Sequence, residues 1–485
     1  MKLSELLSGI AVKELHADPA AEITGVCYDS RQCEPGQLFV AISGFAQDGH
    51  RFIPAALQKG AAVIVCERAP EEACDYVLVD SARLALAQLG ANWFEHPADK
   101  MKIIAVTGTN GKTTSTYLLK NVLESTLGAK VGLIGTIQNM IGEEALHTER
   151  TTPESFELHR LFAQMYEAGC SYVVMEVSSH ALVLERVGAI RFEVGAFTNL
   201  TEDHLDFHKT MEAYAEAKAI LFRRCTYGAV NTDDAWAEQM MRDATCSMLT
   251  YGIRSDAQLK AENISLFSNR VELDVCYEEQ RCHVNLGIPG GFTAYNCLTV
   301  IACALQLGLP LERICEALGT AQGVKGRVEV IPTPGTEYTV LADYAHTPDA
   351  LENVLTTVKG FCKGRVIALF GCGGDRDPIK RPIMGKIGVD NADFVIITSD
   401  NPRTEDPNAI IADILKGVEG TTTPYITIEN RPEAIYWAMS HAQKDDIIVL
   451  AGKGHEDYQE INHVKHHLDE REVVAECLAR LTQEG

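Results

Sequence analysis

The segment that most constrains this chain lies between Met101 and Leu127. The apolar stretch KIIAVTG enters the loop Thr107-Gly108-Thr109-Asn110-Gly111-Lys112-Thr113-Thr114 and leaves it as a helix, predicted from Thr113 to Leu127. A buried strand that passes through a glycine-containing turn into a helix opens an α/β domain, because the helix must return over the face of the sheet. The apolar runs VGLIGT, YVVMEVS, VGAFTNL and YGAVNT follow, alternating with helix-compatible sequence, and this predicts a mainly parallel sheet. Beyond IPTPGTEY, around residues 331–338, the alternation restarts with YTVLADYAH, RVIALFGCGG, FVIITSDNP and IIVLAGKG. Those runs predict a second, doubly wound sheet with its ligand crevice at the strand C-termini. Ahead of both, GQLFVAIS, AAVIVC and DYVLV are short strand-like runs that end in the polar segment EHPADK. The expected fold class is therefore α/β in three domains, 1–97, 98–332 and 333–485, in line with the roughly three domains that length alone suggests.

The loop carries the first chemical signal. Its backbone N–H groups, from Gly108 through Thr114, suit phosphate oxygens; Lys112 can reach the β/γ-phosphates and the Thr113 hydroxyl can ligate Mg2+. It departs from the usual P-loop spacing, since Val106 stands where the first glycine would be. ATP or GTP binding follows from this loop, but the reaction does not. Charge narrows the substrates: 67 acidic against 43 basic residues give −24, which repels a polyphosphate backbone and an anionic bilayer. No nucleic acid and no membrane insertion are expected, because no run approaches the ~18 apolar residues of a span. The N-terminus, MKLSELLSGIAVKEL, is acidic too early for a secretory signal, so a cytoplasmic location is expected. The fifteen cysteines are odd in number and include no C-x-x-C pair, and Cys66, Cys303 and Cys315 lie in apolar segments. Buried reduced thiols fit this better than zinc or a disulfide framework.

Other candidates sit at strand ends. Glu176 ends SYVVMEVSSH, well placed for Mg2+ beside the loop, yet alone it reads equally as a capping or solvated residue. His204, in NLTEDHLDFH, follows the next strand, where a lone histidine is more often structural. Lys218, in MEAYAEAKAILF, reads by pattern as a helix lysine facing water. In the last domain the tips Gly371-Cys372-Gly373-Gly374-Asp375-Arg376, Asp400-Asn401-Pro402-Arg403 and Gly452-Lys453-Gly454-His455-Glu456 each follow an apolar strand and should converge on one crevice. Arg376 and Arg403 suit a carboxylate and Glu456 an ammonium, so the crevice reads as an amino-acid site. Either arginine taken singly could be a surface ion pair.

TGTNGKTT, TTPESFELH, MEVSSHAL, TNLTEDHLDFH, AYAEAKAILF, GGFTAYNCLTVIA, GVKGRVE, DYAHTPDAL, GCGGDRD, DNPRTEDP and AGKGHEDYQ occur in this order. The series resembles the Mur ligases over all three domains, from Asp29-Ser30-Arg31 to Glu456. The resemblance implies an N-terminal domain for the uridine nucleotide, a central P-loop ATPase domain and a C-terminal Rossmann-like domain that receives an amino acid. It implies that Ser30, Thr151, Thr152, Ser178 and Arg186 contact the UDP-sugar-peptide, and that Lys218 is carbamylated to join Thr113, Glu176 and His204 at Mg2+. It further implies nucleotide contacts from Asn296, Arg327, Asp343 and His346, and amino-acid contacts from Arg376, Asp400, Asn401, Pro402, Arg403, Gly452 and Glu456. The chain departs from the family at Leu184, where relatives often carry glutamine, and at Phe45-Ala46-Gln47 in the uracil loop.

The implied reaction is formation of an amide in peptidoglycan precursor synthesis, and hence a part in cell shape and division. The D-glutamate carboxylate of UDP-MurNAc-L-Ala-D-Glu attacks the ATP γ-phosphate, and the amine of meso-diaminopimelate then displaces phosphate. The catalytic set is Lys112, Glu176, His204 and Lys218. Domain closure is expected about hinges near residues 98 and 332, in a monomer. DNPR accompanies diaminopimelate in the family, whereas lysine-adding relatives lack the arginine. The alternatives are the same reaction with lysine, or a P-loop switch whose ATP turnover needs no amino acid.

Overall fold

A computed structural model describes residues 1–44, 47–148, 150–321 and 323–484. Of the uracil-loop departure, Phe45 and Ala46 lie outside the described residues. The chain divides into two compact units, residues 1–258 with 299–310 and residues 259–298 with 311–485. Helix Phe292–Gln306 belongs in part to each.

The first unit holds two sheets. The N-terminal one runs Val12–His16, Tyr76–Val79, Val63–Cys66, Leu38–Val40, Val26–Cys27, parallel except for its first pair. The other follows the order Ser247–Gly252, Cys225–Asn231, Phe192–Phe197, Lys102–Thr107, Tyr172–Glu176, Val131–Ile134, and is parallel throughout this stretch. The short antiparallel strands Asn139–Ile141 and Glu144–Leu146 extend it. Five of these strands are the ones that the apolar runs predict, while Ser247–Gly252 and the two short strands are additional; the helix after the loop spans Lys112–Leu127, closed by Gly128 in the left-handed region. Register sets the site: Val106 pairs with Glu176 and Thr107 with Phe197, so Glu176 and Thr198-Asn199 arrive beside the loop. Cys66 and Cys303 are fully buried and Cys315 nearly so.

The two sheets of this unit are joined by packing of helix Ala82–Trp93 on helix Ser155–Glu167, where Gly90 lies against Phe156 and His159. His159 is buried, and neither ring nitrogen has a hydrogen-bond partner among the described residues. Burial, with a smaller push from His96, lowers its pKa from 6.5 to about 4. The unfolded chain therefore binds a proton below about 6.5 that the folded chain refuses until about 4, so stability is lost as pH falls through this window. His159→Phe should make the protein less acid-sensitive between pH 7 and 4.5, by about 2–3 kcal/mol in urea unfolding.

In the second unit, Leu259–Leu266, Val271–Tyr277 and Gln280–Leu286 form an antiparallel meander. A six-stranded sheet follows, in the order Glu329–Ile331, Thr339–Asp343, Ile447–Ala451, Val366–Phe370, Phe394–Ile397, Tyr425–Thr427, parallel but for the first pair. Side chains alternate along each central strand. Leu341, Ala368, Phe370, Val395, Ile397 and Val449 enter one core, and Val340, Ile367, Leu369, Ile396, Ile448 and Leu450 the other. Both faces are thus covered by helices, and polar function is confined to the strand ends. The hairpin Tyr458–Ile461/Val464–His467 follows the last tip.

Candidate active site

In the first unit the loop after Lys102–Thr107 is shaped by Thr198-Asn199. Gly108 has φ +149°, and a Cβ there would collide with Thr198 Oγ1, so only glycine fits. Thr109 N donates to Asn199 O at 2.9 Å, Asn110 N to Asn199 Oδ1 at 2.9 Å, and Thr198 Oγ1 to Asn110 O at 2.6 Å. Gly111 caps the helix, so Lys112, Thr113 and Thr114 form its first turn, where the direction of the backbone N–H groups and the helix dipole favour an anion. The Lys112 ammonium donates to Gly108 O at 2.9 Å and Thr109 O at 2.8 Å.

Lys218 corrects the reading made from pattern alone. It is 1% exposed, in a helix spanning Met211–Ala219, with Nζ 2.9 Å from Gly108 O and 4.5 Å from the Tyr214 ring centre. Tyr214 lies one turn earlier and its hydroxyl is 3.3 Å from Thr109 Oγ1, so one helix face meets the loop twice. Burial first, and then the Lys112 charge, hold the Lys218 amine well below the ordinary lysine range. A neutral amine is the form that adds CO2. Glu176 is fully buried and accepts from Thr136 N at 2.9 Å and Thr136 Oγ1 at 3.0 Å. His204 has φ +54° and a half-exposed ring, 4.9 Å from His180 and 6.1 Å from Tyr214. Thr136, which no motif singles out, is thus what aims the Glu176 carboxylate.

Among the described residues no three His, Cys, Asp or Glu side chains form a metal-holding group. The expected Mg2+ set contains only Glu176 and His204 of these types. With Thr113 and a carbamate on Lys218 it becomes mainly an oxygen set, which suits a hard cation. Glu176 retains acceptor capacity beyond its two bonds to Thr136. The residues present fit the ion.

The residues expected at the UDP-substrate gather partly around Glu176. Thr152 Oγ1 donates to Glu176 O at 2.9 Å and accepts from Ser178 N at 3.2 Å, and Thr151 Oγ1 is 3.1 Å from Thr136 Oγ1. Ser178 caps helix Ser179–Val183, whose last turn is followed by Leu184, the departure from the family's glutamine. Arg186 is held by Glu154 at 2.7 Å and Thr152 O at 3.2 Å. Ser30 lies in a turn, between the Asp29 and Arg31 side chains that pair with each other. A cavity of about 650 Å³ opens beside these residues, lined among others by Tyr28, Gln32, Arg150, Glu154, Glu157 and Arg160. Tyr28 donates to Glu157 at 2.7 Å; Glu154 and Glu157 belong to the TTPESFELH run, whereas Tyr28, Gln32, Arg150 and Arg160 lie outside the quoted motifs.

In the second unit the three tips do converge. Gly374 N donates to Asn401 O, and Gly452, at φ +118°, has Asp400 Oδ2 where a Cβ would stand. Asp400 is buried; burial opposes its ionisation, but Lys453 and then Arg431 outweigh it and hold the carboxyl below its usual range. Arg403, at φ +51°, donates through Nε to Glu460 at 3.1 Å and through Nη1 to Gly374 O at 2.8 Å, while its Nη2 makes no hydrogen bond among the described residues. Arg376 is exposed and, among the described residues, its side chain bonds only its neighbour's carbonyl, Asp375 O, at 3.2 Å. Pro402 O accepts from Glu405 N. Glu456 Oε2 accepts from Asn401 Nδ2 at 2.9 Å. Asp343 accepts from Val328 N at 2.8 Å and Ala345 N at 2.9 Å, so its carboxylate organises the chain that carries Arg327, whose guanidinium lies 5.6 Å from the Tyr344 ring centre. His346 is exposed beside Tyr344, and Asn296 is buried in its helix.

Comparison with known proteins gives three successive matches: the Mur ligase family catalytic domain over residues 22–101, the Mur ligase middle domain over 106–304, and the Mur ligase glutamate ligase domain over 326–454. UDP-N-acetylmuramoyl-L-alanyl-D-glutamate–2,6-diaminopimelate ligase 1 of Clostridium acetobutylicum is 48% identical over 484 residues, covering 99% of this chain and 100% of its own. The ligase of the same specificity from Clostridium botulinum is 47% identical over 466 residues, covering 95% and 96%. A solved structure of a UDP-N-acetylmuramoyl-L-alanyl-D-glutamate–2,6-diaminopimelate ligase superposes with a TM-score of 0.75 at 32% identity, covering 99% of both chains. With its loop, strand-end carboxylate and converging tips in the order of those matches, the chain belongs to the Mur ligase family of ATP-dependent, amide-forming ligases.

Proposed function

We propose that this chain joins meso-diaminopimelate to the D-glutamate side-chain carboxylate of UDP-MurNAc-L-Ala-D-Glu, at the expense of ATP and with Mg2+, as a cytoplasmic monomer in peptidoglycan precursor synthesis. The observation that carries this reading is the Asp400-Asn401-Pro402-Arg403 tip. Arg403 is held on two sides by Glu460 and Gly374 with Nη2 to spare, and Glu456 lies on the same cluster through Asn401. A cation for a distal carboxylate and an anion for an ammonium match the charges that distinguish a diamino diacid from lysine. The relatives named for diaminopimelate addition support the same choice.

On this reading the domains 1–97, 98–332 and 333–485 hold the UDP-substrate, ATP and the amino acid, and close about hinges near residues 98 and 332. Ser30, Thr151, Thr152, Ser178 and Arg186 orient the muropeptide carboxylate, and the turn Gly108–Thr114 holds the phosphates. Lys112 moves from its own loop carbonyls to the transferring phosphoryl group, where its charge lowers the repulsion between carboxylate and phosphate. Mg2+, when bound by Thr113, Glu176, His204 and carbamylated Lys218, neutralises further phosphate charge. Asn296, Arg327, Asp343 and His346 serve the nucleotide. The acyl phosphate formed is attacked by the amine that Glu456 and Asn401 orient, and phosphate leaves.

The test is ADP release with each diamino acid in turn. Release should require both UDP-MurNAc-L-Ala-D-Glu and diaminopimelate, and equal turnover with lysine would overturn the assignment. Arg403→Ala removes a charge-assisted pair of about 1.5–3 kcal/mol. It should reduce kcat/KM for diaminopimelate relative to lysine roughly 10- to 150-fold, the same energy expressed as a ratio.

A further inference from the structure

The amino-acid cluster is the end of a buried row of charges. Glu470 and Arg431 are wholly buried and 2.7 Å apart; Arg431 acts in turn on Asp400, which lies 3.1 Å from the wholly buried Lys453 ammonium, which is 3.4 Å from Glu456. Signs alternate along the row, with three acids and two bases, so one negative charge is left over. It falls at Glu456, whose side chain is the most exposed of the five. Lys453 also fixes a geometry. It donates to Asn401 Oδ1 at 2.6 Å, the same oxygen that accepts Glu460 N at 2.8 Å, and this forces the Asn401 NH2 toward Glu456.

We infer that Lys453 is a positioning and specificity-determining residue: by neutralising Asp400 and locking the Asn401 amide, it leaves Glu456 as the one unbalanced carboxylate, ready for a substrate ammonium. This rests on the amino-acid-binding role proposed above. A buried lysine that merely filled space would contribute to stability and leave substrate affinity and its pH dependence unchanged. Without the ammonium, Asp400 and Glu456 become neighbouring carboxylates of like charge, and their repulsion is relieved when one of them takes up a proton. Arg431 and Glu470 face them from the helices Arg431–Ser440 and Glu470–Glu484, His346 acts on Asp400 from the adjacent strand end, and the Tyr458 ring lies 5.8 Å from Lys453 Nζ. None of these supplies the missing positive charge between the two acids.

The experiment measures KM for diaminopimelate by ADP release from pH 6 to 8 in the full-length protein and in Lys453→Met. The unmodified chain should show a flat profile. Lys453→Met should raise KM at least tenfold at pH 6, with the defect shrinking as pH rises, while KM for ATP and for UDP-MurNAc-L-Ala-D-Glu stays within twofold. Lys453→Arg, which keeps a cation between the two acids, should hold KM within about threefold and the profile flat, and it carries the test should Lys453→Met fail to fold. A flat, unchanged KM in Lys453→Met, or a Lys453→Arg variant with the full tenfold defect, overturns the inference alone. If the unmodified chain shows no release dependent on a diamino acid, the functional reading falls and this inference with it.

Discussion

Lys218→Ala is expected to reduce amino-acid-dependent ADP release by at least a hundred- to a thousandfold, the scale seen when one preorganised charge-stabilising group is removed from a reacting centre. The argument starts from burial. At 1% exposure, and with Lys112 on the same loop carbonyl, an ammonium at this position is disfavoured twice over, which holds the amine well below the ordinary lysine range and favours its neutral form. On the proposed carbamylation, the lone pair of that form adds to CO2; the N–C bond forms, a proton leaves, and the product is an anion where a cation is unfavourable. Such an anion would be attracted by Lys112 and would supply oxygen donors in addition to those of Glu176. Buffer stripped of CO2 should therefore lower the activity of the unmodified chain, bicarbonate should restore it, and neither treatment should affect Lys218→Ala. Retention of half the activity by the alanine variant would show that the group has no part in the chemistry.

The second large effect concerns folding. Arg431 and Glu470 are each 0% exposed in their side chains, and Arg431 also donates to Ala451 O at 2.9 Å. Burial raises the Glu470 pKa against the pull of Arg431. Arg431→Met leaves that carboxyl without its partner inside the sheet-helix core, at a cost of about 3–5 kcal/mol. Thermal unfolding should fall by roughly 6–20 °C. Arg431→Met/Glu470→Leu, which removes both charges, should recover most of the loss, because neither member is then buried alone. A single variant as stable as the parent would mean that water or a rearranged neighbour compensates Glu470.

The sequence shows the frame of this protein well, for a physical reason. Parallel strands covered on both faces must be apolar at every position, so runs such as VIALF and IIVLA stand out, and each ends where polar function begins. The meander over residues 259–286 was not picked out, because its burial alternates with exposure and its strands carry charged residues. Within the candidate site, Gly108, Lys112, Glu176 and Arg403 stand out as candidates in the sequence because each lies at or just beyond the end of an apolar strand. Lys218 does not, since whether a helix lysine faces water or a loop carbonyl is decided by the fold around it. Thr136, the role of Lys453 within its tip, and the Arg431–Glu470 pair escape the sequence for a related reason: their partners lie 40, 52 and 39 residues away, and spacing along the chain carries no trace of such contacts.

The strand tips of the second unit have one more implication. The side chains proposed to read the amino acid stand beyond the ends of Val366–Phe370, Phe394–Ile397 and Ile447–Ala451, whose own residues are almost entirely enclosed. Letters at the tips can thus change over generations while the foundation stays as it is, and a lineage can explore new amino acids through intermediates that all still fold.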